Sequence, residues 1–233
     1  KMSKSKQIRN KLEEAGIRFW AGDNISQVLQ KGDKAELIDE AALAFETVLD
    51  TLVIDRKTDP NSMDTARRLA KMYYNELMAG RYDTAPPATA FPNEPDNVTN
   101  EKYDGMLVVR SELRSVCSHH HQPVTGIAYI GIIAADTLIG LSKYTRIAQW
   151  CARRGTLQEE LAMDISREIM KATKSNDVGV YIQATHGCCE NRGIMAHSSL
   201  TQTTILKGAF KTDPATKEEF MDNIKLQSDF AAK

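Results

Sequence analysis

Apolar residues recur at three- and four-residue spacing over residues 34–53: Leu37, Ile38, Ala41, Ala42, Phe45, Val48, Leu49 and Leu52. On a helix of 3.6 residues per turn they share one face, so the segment is predicted to be an amphipathic helix. Asp33 is placed to cap its first turn, with Glu36 three residues on as its box partner. A second helix is predicted over residues 65–79, with Asp64 as cap and Gly80 as its stop. Residues 81–100 then gather Pro86, Pro87, Pro92 and Pro95 with several Asn and Asp, a loop composition. A soft boundary there divides a helical N-terminal region and loop, residues 1–95, from a domain over residues 96–233.

Beyond that loop the period changes. Residues 106–116 and 125–134 are rich in Val, Ile and Tyr with Gly breaks, and read as strands. Ser142 is placed to cap a helix through about residue 154, and Thr156 with Glu159 forms a capping box for a helix to about residue 174. Strands are expected again at 178–184 and 201–210, with a final helix over about 215–226. Two strands, two helices and two strands in that order predict antiparallel pairing of sequence neighbours and an α+β fold.

Composition narrows the functions open to such a fold. Lys and Arg number 30 against 31 Asp and Glu, a net charge of −1, so no basic field argues for nucleic acid. The longest apolar stretch, residues 126–135, is far short of the roughly 20 residues of a membrane helix. No charged-then-apolar leader opens the sequence, and a cytoplasmic protein is expected. The cysteines are too few for a disulfide scaffold and cluster with histidine, which favours a metal.

Four of the five histidines and three of the four cysteines fall in Cys117-Ser118-His119-His120-His121 and His186-Gly187-Cys188-Cys189. A cysteine and a histidine three positions apart, joined by a distant thiol, can hold Zn²⁺ through Cys117, His120 and Cys188. One tetrahedral position is then left for water, the arrangement of a catalytic site. A closed structural site is the alternative, with His121 or Cys189 as fourth ligand, and spacing alone leaves either vicinal thiol free to face the metal. The surplus histidines beside the ligands are suited to moving protons.

Several motifs, in order, resemble those of the zinc-dependent GTP cyclohydrolase I family. They are Cys117-x-His119-His120, then Gly140-Leu141-Ser142-Lys143-x-x-Arg146, then Gln158-Glu159, then His186-x-Cys188-x-x-x-Arg192-Gly193. The resemblance extends upstream to Asp64-Thr65-Ala66-Arg67-Arg68-Leu69-Ala70-Lys71-Met72 and downstream to Gly208-Ala209-Phe210 and Asp213-Pro214, covering most of residues 35–225. The chain departs from the family pattern at Ser118, where Glu is usual, at His121 and Gln122, where apolar residues are usual, and at Ala66, where Pro is usual.

The resemblance implies hydrolytic opening of the guanine imidazole ring of GTP, loss of C8 as formate, and rearrangement to 7,8-dihydroneopterin triphosphate. It makes Cys117, His120 and Cys188 the Zn²⁺ ligands, His186 the proton donor to purine N7, and His119 the residue for ribose opening and later proton transfers. Glu159 would accept two hydrogen bonds from the guanine N1–H and 2-amino group, with Gln158 helping to fix the base. Lys71, Ser142, Lys143, Arg146 and Arg192 would hold the triphosphate, with Arg68 a weaker candidate. It also implies the tunnelling fold, a four-stranded antiparallel sheet with two helices on one face, assembled into a homodecameric ring. The alternatives are a relative on the same fold acting on or binding another purine or pterin, and a zinc-stabilised assembly module without enzymatic activity.

Overall fold

The computed structural model describes residues 2–231. The chain divides into two compact units. One runs from the N-terminus through Thr84 and takes in Arg153–Gly155; the other holds Ala85–Ala152 and the chain from Thr156 on. No helix among the described residues is long and apolar enough to cross a membrane.

The first unit is helical: α1 (Lys4–Glu14), α2 (Asp33–Thr51), α3 (Thr65–Met72) and α4 (Ala79–Tyr82), with a 3₁₀ turn at Ser26–Val28. Ile8 and Leu12, one turn apart on α1, pack with Ile25 and Leu37. A second cluster joins Ile38 and Ala42 of α2 to Ala70 of α3. The apolar face read from the sequence is thus buried only in part, since Val48 and Leu52 stay exposed. The helix expected over 65–79 is interrupted: Met78 N–H reaches back to Tyr73 O at 2.9 Å, a five-residue loop that closes one π turn at Tyr73–Leu77. That turn ends α3 early, so Gly80 lies inside α4 instead of stopping a longer helix. Tyr74 within it packs on Tyr82, ring centroids 4.5 Å apart.

Asp33 begins α2 without capping it in the expected way. Gly32, at φ +97°, occupies the cap position in a conformation that favours glycine. The buried Asp33 carboxylate instead accepts from Gln30 N–H and from Lys4 Nζ, both at 2.9 Å, tying α1 to the start of α2. These bonds, the Gln30 N–H foremost, hold the Asp33 carboxyl below its ordinary value of 3.8. Asp33→Ala takes the acceptor from Gln30 N–H and leaves Lys4 only its 3.3 Å contact with Glu36, and is expected to cost about 1–3 kcal/mol by urea unfolding. A group with a depressed folded pKa stabilises above its unfolded value and loses that contribution as pH falls through the folded one. The gap between wild type and Asp33→Ala is therefore expected to be full at neutral pH and to close below about pH 4. An equal gap at every pH would rule out the charged carboxylate as its source.

The second unit is built on a four-stranded sheet in the order β2-β3-β5-β6, antiparallel throughout. Its strands are β2 (Met106–Val116), β3 (Pro123–Ile133), β5 (Val178–His186) and β6 (Thr201–Leu206). A small second sheet pairs β1 (Ala90–Pro92) with β4 (Thr137–Ile139). The helices are α5 (Leu141–Ala152), α6 (Gln158–Thr173), the single turn α7 (Gly187–Glu190), α8 (Ala209–Thr212) and α9 (Pro214–Ala231).

Strand alternation explains the layers. Ala128, Ile130, Ile132, Val180, Ile182 and Ala184 face α5 and α6, meeting Tyr144, Ala148, Leu161, Ile165 and Ile169. Tyr129 and Tyr181 point the other way, where α8 and α9 bring Phe210, Phe220 and Ile224. Cover on both sides is why residues 126–135 read as one apolar run. Glycine is required where Phe210 and Phe220 press on the sheet: a Cβ at Gly131 or Gly179 would lie 2.7 or 2.8 Å from their rings. The last strand ends at Leu206, short of the expected 210. The Asp177 carboxylate accepts from Ala209 N–H at 2.7 Å and starts α8, placing Phe210 on a helical turn.

Two caps also differ. Ser142 sits inside the first turn of α5, which begins at Leu141. Leu157 holds the cap position of α6, and Thr156 Oγ1 donates to Glu160 Oε2 at 3.1 Å, which leaves Glu159 outside the capping contact.

Candidate functional site

Strand order decides which chemistry meets. β3 lies between β2 and β5, and it pairs Val116 with Pro123 on one side and Val124 with His186 on the other. The end of β2, the start of β3 and the end of β5 therefore lie together at one end of the sheet. Residues 117–122 form the loop between β2 and β3, closed by Cys117 N–H to Gln122 O at 2.9 Å. His121 N–H donates back to Cys117 O at 2.9 Å, and His121 takes a left-handed φ of +52° to close the turn. From the end of β5 the chain bends directly into α7. Gly187 makes the bend against β3, where a Cβ would lie 3.0 Å from Pro123 O.

These two turns gather Cys117, His120 and Cys188, whose ligand atoms all lie within 4.8 Å of one another. This is the single group of such donors among the described residues; His121 and Cys189 do not join it. Cys117 is buried, Cys188 half-buried and His120 exposed, so the cluster has a dry side and an open side. Burial, and then the neighbouring Cys117 thiol, push the Cys188 thiol up to about 11. Two thiols pressed together this way resist ionisation, and a divalent cation between them removes that penalty. A tetrahedral ion with bonds of about 2.0–2.3 Å sets its ligands about 3.3–3.8 Å apart, which this cluster accommodates. The donor set thus fits zinc.

Other predicted residues surround the cluster. His119 is exposed, its ring edge-on to that of His120 with centroids 6.3 Å apart. His186 ends β5 and is half-buried, with Nε2 2.8 Å from Gln158 Oε1. Burial holds its pKa below the ordinary 6.5, against the opposing pull of the Glu159 and Glu190 carboxylates. Gln158 is buried, whereas Glu159 beside it is exposed. Arg192, just past α7, is exposed as well. Thr203, which accepts from the Gln158 amide, carries no signal in its spacing; only the strand register reveals it. Cys151 is fully buried in the core between sheet and helices, and His197 is exposed.

Ser142, Lys143 and Arg146 are not brought to this cluster. They lie on the first turns of α5, which the chain enters after leaving the far end of β3 through β4. The last residue of α5 returns to the near end, where Ala152 O accepts from Ser115 Oγ at 2.6 Å. Along that 12-residue helix, at about 1.5 Å per residue, Ser142 stands about 15 Å and Arg146 about 9 Å from Ala152. Arg68 and Lys71 stand three apart on α3 of the first unit, both exposed, with Arg68 3.7 Å from Asp64.

Two thiols and an imidazole with an open side, and a further histidine alongside, form a candidate metal centre of the kind that metal-assisted enzymes use. Comparison with known proteins gives the particular family. The family model of GTP cyclohydrolase I matches residues 41–225. GTP cyclohydrolase 1 of Aeromonas salmonicida is 37% identical over 220 residues, covering 94% of this chain and 95% of its own length. That of Flavobacterium johnsoniae is 39% identical over 197 residues, 84% of this chain and 85% of the relative. That of Vibrio cholerae is 33% identical over 223 residues, 95% and 97% respectively. The chain belongs to the GTP cyclohydrolase I family.

Proposed function

We propose that the cluster of Cys117, His120 and Cys188 holds Zn²⁺ and that the site around it hydrolyses the guanine imidazole ring of GTP, releasing formate and giving 7,8-dihydroneopterin triphosphate. Family membership supports the activity, and the convergence of the donors within 4.8 Å is the observation that carries the metal assignment. Zinc, when bound, supplies the acidity that brings a water's ionisation toward neutral pH, which the poor electrophile C8 demands.

The remaining work falls to side chains of the chain itself. His186, two residues before Cys188, donates a proton to purine N7 so that the ring accepts electron density as C8 is attacked. His119, exposed beside His120, serves ribose opening and the later proton transfers. Glu159, outside the helix cap, accepts from guanine N1–H and the 2-amino group, a pairing that a neutral side chain imitates poorly. Lys71, Ser142, Lys143, Arg146 and Arg192, with Arg68, are assigned to the triphosphate, which carries about four negative charges and calls for several cations.

The tunnelling-fold ring of the family implies assembly of the protein, and the place of Ser142 and Lys143 at the end of α5 away from Ala152 and Ser115 accords with it. Ser142, Lys143 and Arg146 of one subunit would complete the site of another, and the outer strands β2 and β6 are the edges along which sheets join. We read the assembly as a homodecamer and its compartment as the cytoplasm, where thiols that cluster with histidine stay reduced. Sharing of sites between subunits has a direct test. Cys188→Ala and Arg146→Ala proteins, each inactive alone, are unfolded together, refolded as mixed oligomers and assayed with GTP. A regain of activity on mixing is expected, because some sites then draw both intact residues from different subunits. No regain, with mixed oligomers verified by mass, would place both residues in one subunit's site.

A further inference from the structure

We propose that Gln158 is a positioning residue for His186, holding the ring with its proton on Nε2 so that Nδ1 is the nitrogen left to exchange a proton with the purine. The proposal rests on the reading of His186 as the proton donor. It gives Gln158 a role through His186 in place of the direct base contact that the family resemblance implies.

Gln158 opens α6 and is 4% exposed, so its amide has little access to a ligand. Its nitrogen donates to Thr201 O at 3.1 Å and to Thr203 Oγ1 at 3.0 Å, with Ile182 O at 3.4 Å beyond them. Two backbone carbonyls can only accept, so the NH₂ end of the amide must face β5 and β6. The other end is then Oε1, which is 2.8 Å from His186 Nε2. A carbonyl oxygen can only accept, so Nε2 must carry a hydrogen whenever this bond is made. The strand register thus fixes the amide, and the amide fixes the tautomer and plane of the imidazole.

This suits the proton balance of the step. The Nδ1–H bond of the doubly protonated ring breaks, its electron pair stays on Nδ1, and the proton joins the lone pair of purine N7. The neutral ring left behind is the Nε2–H tautomer that Gln158 already holds, so no reorientation follows the transfer, and water returns a proton to Nδ1. Partners that orient metal-bound histidines are typically worth about 10–100-fold in affinity or activity, and a loss of that order is expected for a histidine beside the metal.

Gln158→Met keeps the side chain's reach and removes the acceptor. In the zinc-loaded protein it is expected to lower kcat for GTP about 10–100-fold, with KM within about twofold and zinc content unchanged. Thr203→Val, which loosens the amide without touching His186, is expected to lower kcat by a smaller factor, again with KM kept, and it stands in if the Met variant fails to fold. Nitrogen-15 histidine NMR above the ring's titration supplies the second readout, the His186 signal being assigned by its loss in His186→Ala. The Nε2–H tautomer is expected in wild type and a mixture of tautomers in Gln158→Met. A raised KM with kcat retained, or an unchanged tautomer, would overturn the proposal and return Gln158 to base contact or packing. Full turnover by His186→Ala would instead remove His186 as proton donor, while the tautomer readout would still report on Gln158.

Discussion

Cys188→Ala is expected to lose bound zinc and GTP turnover together, while Cys189→Ala keeps both. The two thiols are neighbours in sequence with Sγ atoms 4.0 Å apart, yet only Cys188 falls within the group formed with Cys117 and His120. Removing one of three protein ligands leaves a thiol and an imidazole, too few to retain the ion against a chelator. The fold should survive, because the core of Ile130, Ile132, Ile165 and Ile182 is complete without the metal. Zinc is therefore expected to fall from about one per subunit to near zero by elemental analysis, with the far-ultraviolet circular dichroism kept. Full zinc in Cys188→Ala and loss in Cys189→Ala would reverse the assignment. Collapse of the fold in step with zinc loss would instead indicate a structural site.

The second large effect is expected at His186, proposed above as a proton donor that does not hold the ion. His186→Ala should retain zinc and fold yet lower the rate of ring opening by about 10²–10⁴-fold, the usual worth of a positioned proton donor. Loss of His119 should act later, so that a ring-opened formyl intermediate accumulates and chromatography separates the two phenotypes. Dihydroneopterin triphosphate formed at a near-normal rate by His186→Ala would remove His186 from the reaction.

Much of this was legible in the chain because some signals are local. Residues 106–116 were read as a strand and form β2 with those bounds, since Val and Leu packing on a pleated surface leave a clear pattern. The Cys117 and His120 spacing was equally plain. Spacing leaves Cys188 and Cys189 equivalent and the family resemblance chooses Cys188, the thiol that joins Cys117 and His120 in the fold. Helix α1 went unread because only Ile8 and Leu12 of its eleven residues are buried, too weak a period to stand out among charges. Strand β1 lay hidden in a proline-rich loop, three exposed residues that extend only because β4 pairs with them. Nothing in the spacing of Ser142, Lys143 and Arg146 shows that they lie on the first turns of α5, the end away from Ala152 and Ser115, because that placement comes from the path of β3 and β4. Spacing makes Glu159 the box partner of Thr156; with Leu157 at the cap position and α6 starting at Gln158, the contact goes to Glu160 instead.

The central claim is that zinc held by Cys117, His120 and Cys188 serves the opening of GTP, and the most direct test follows formate. Zinc-loaded protein is incubated with GTP, and formate and dihydroneopterin triphosphate are quantified, the latter after oxidation to its fluorescent neopterin form. The same protein is then stripped by chelation and reloaded with zinc, and its fold is monitored throughout. One formate is expected for each dihydroneopterin triphosphate, with turnover lost on stripping, the sheet signal kept, and activity regained on reloading. Absence of formate from fully loaded protein, or undiminished turnover once the zinc is gone, would contradict the account.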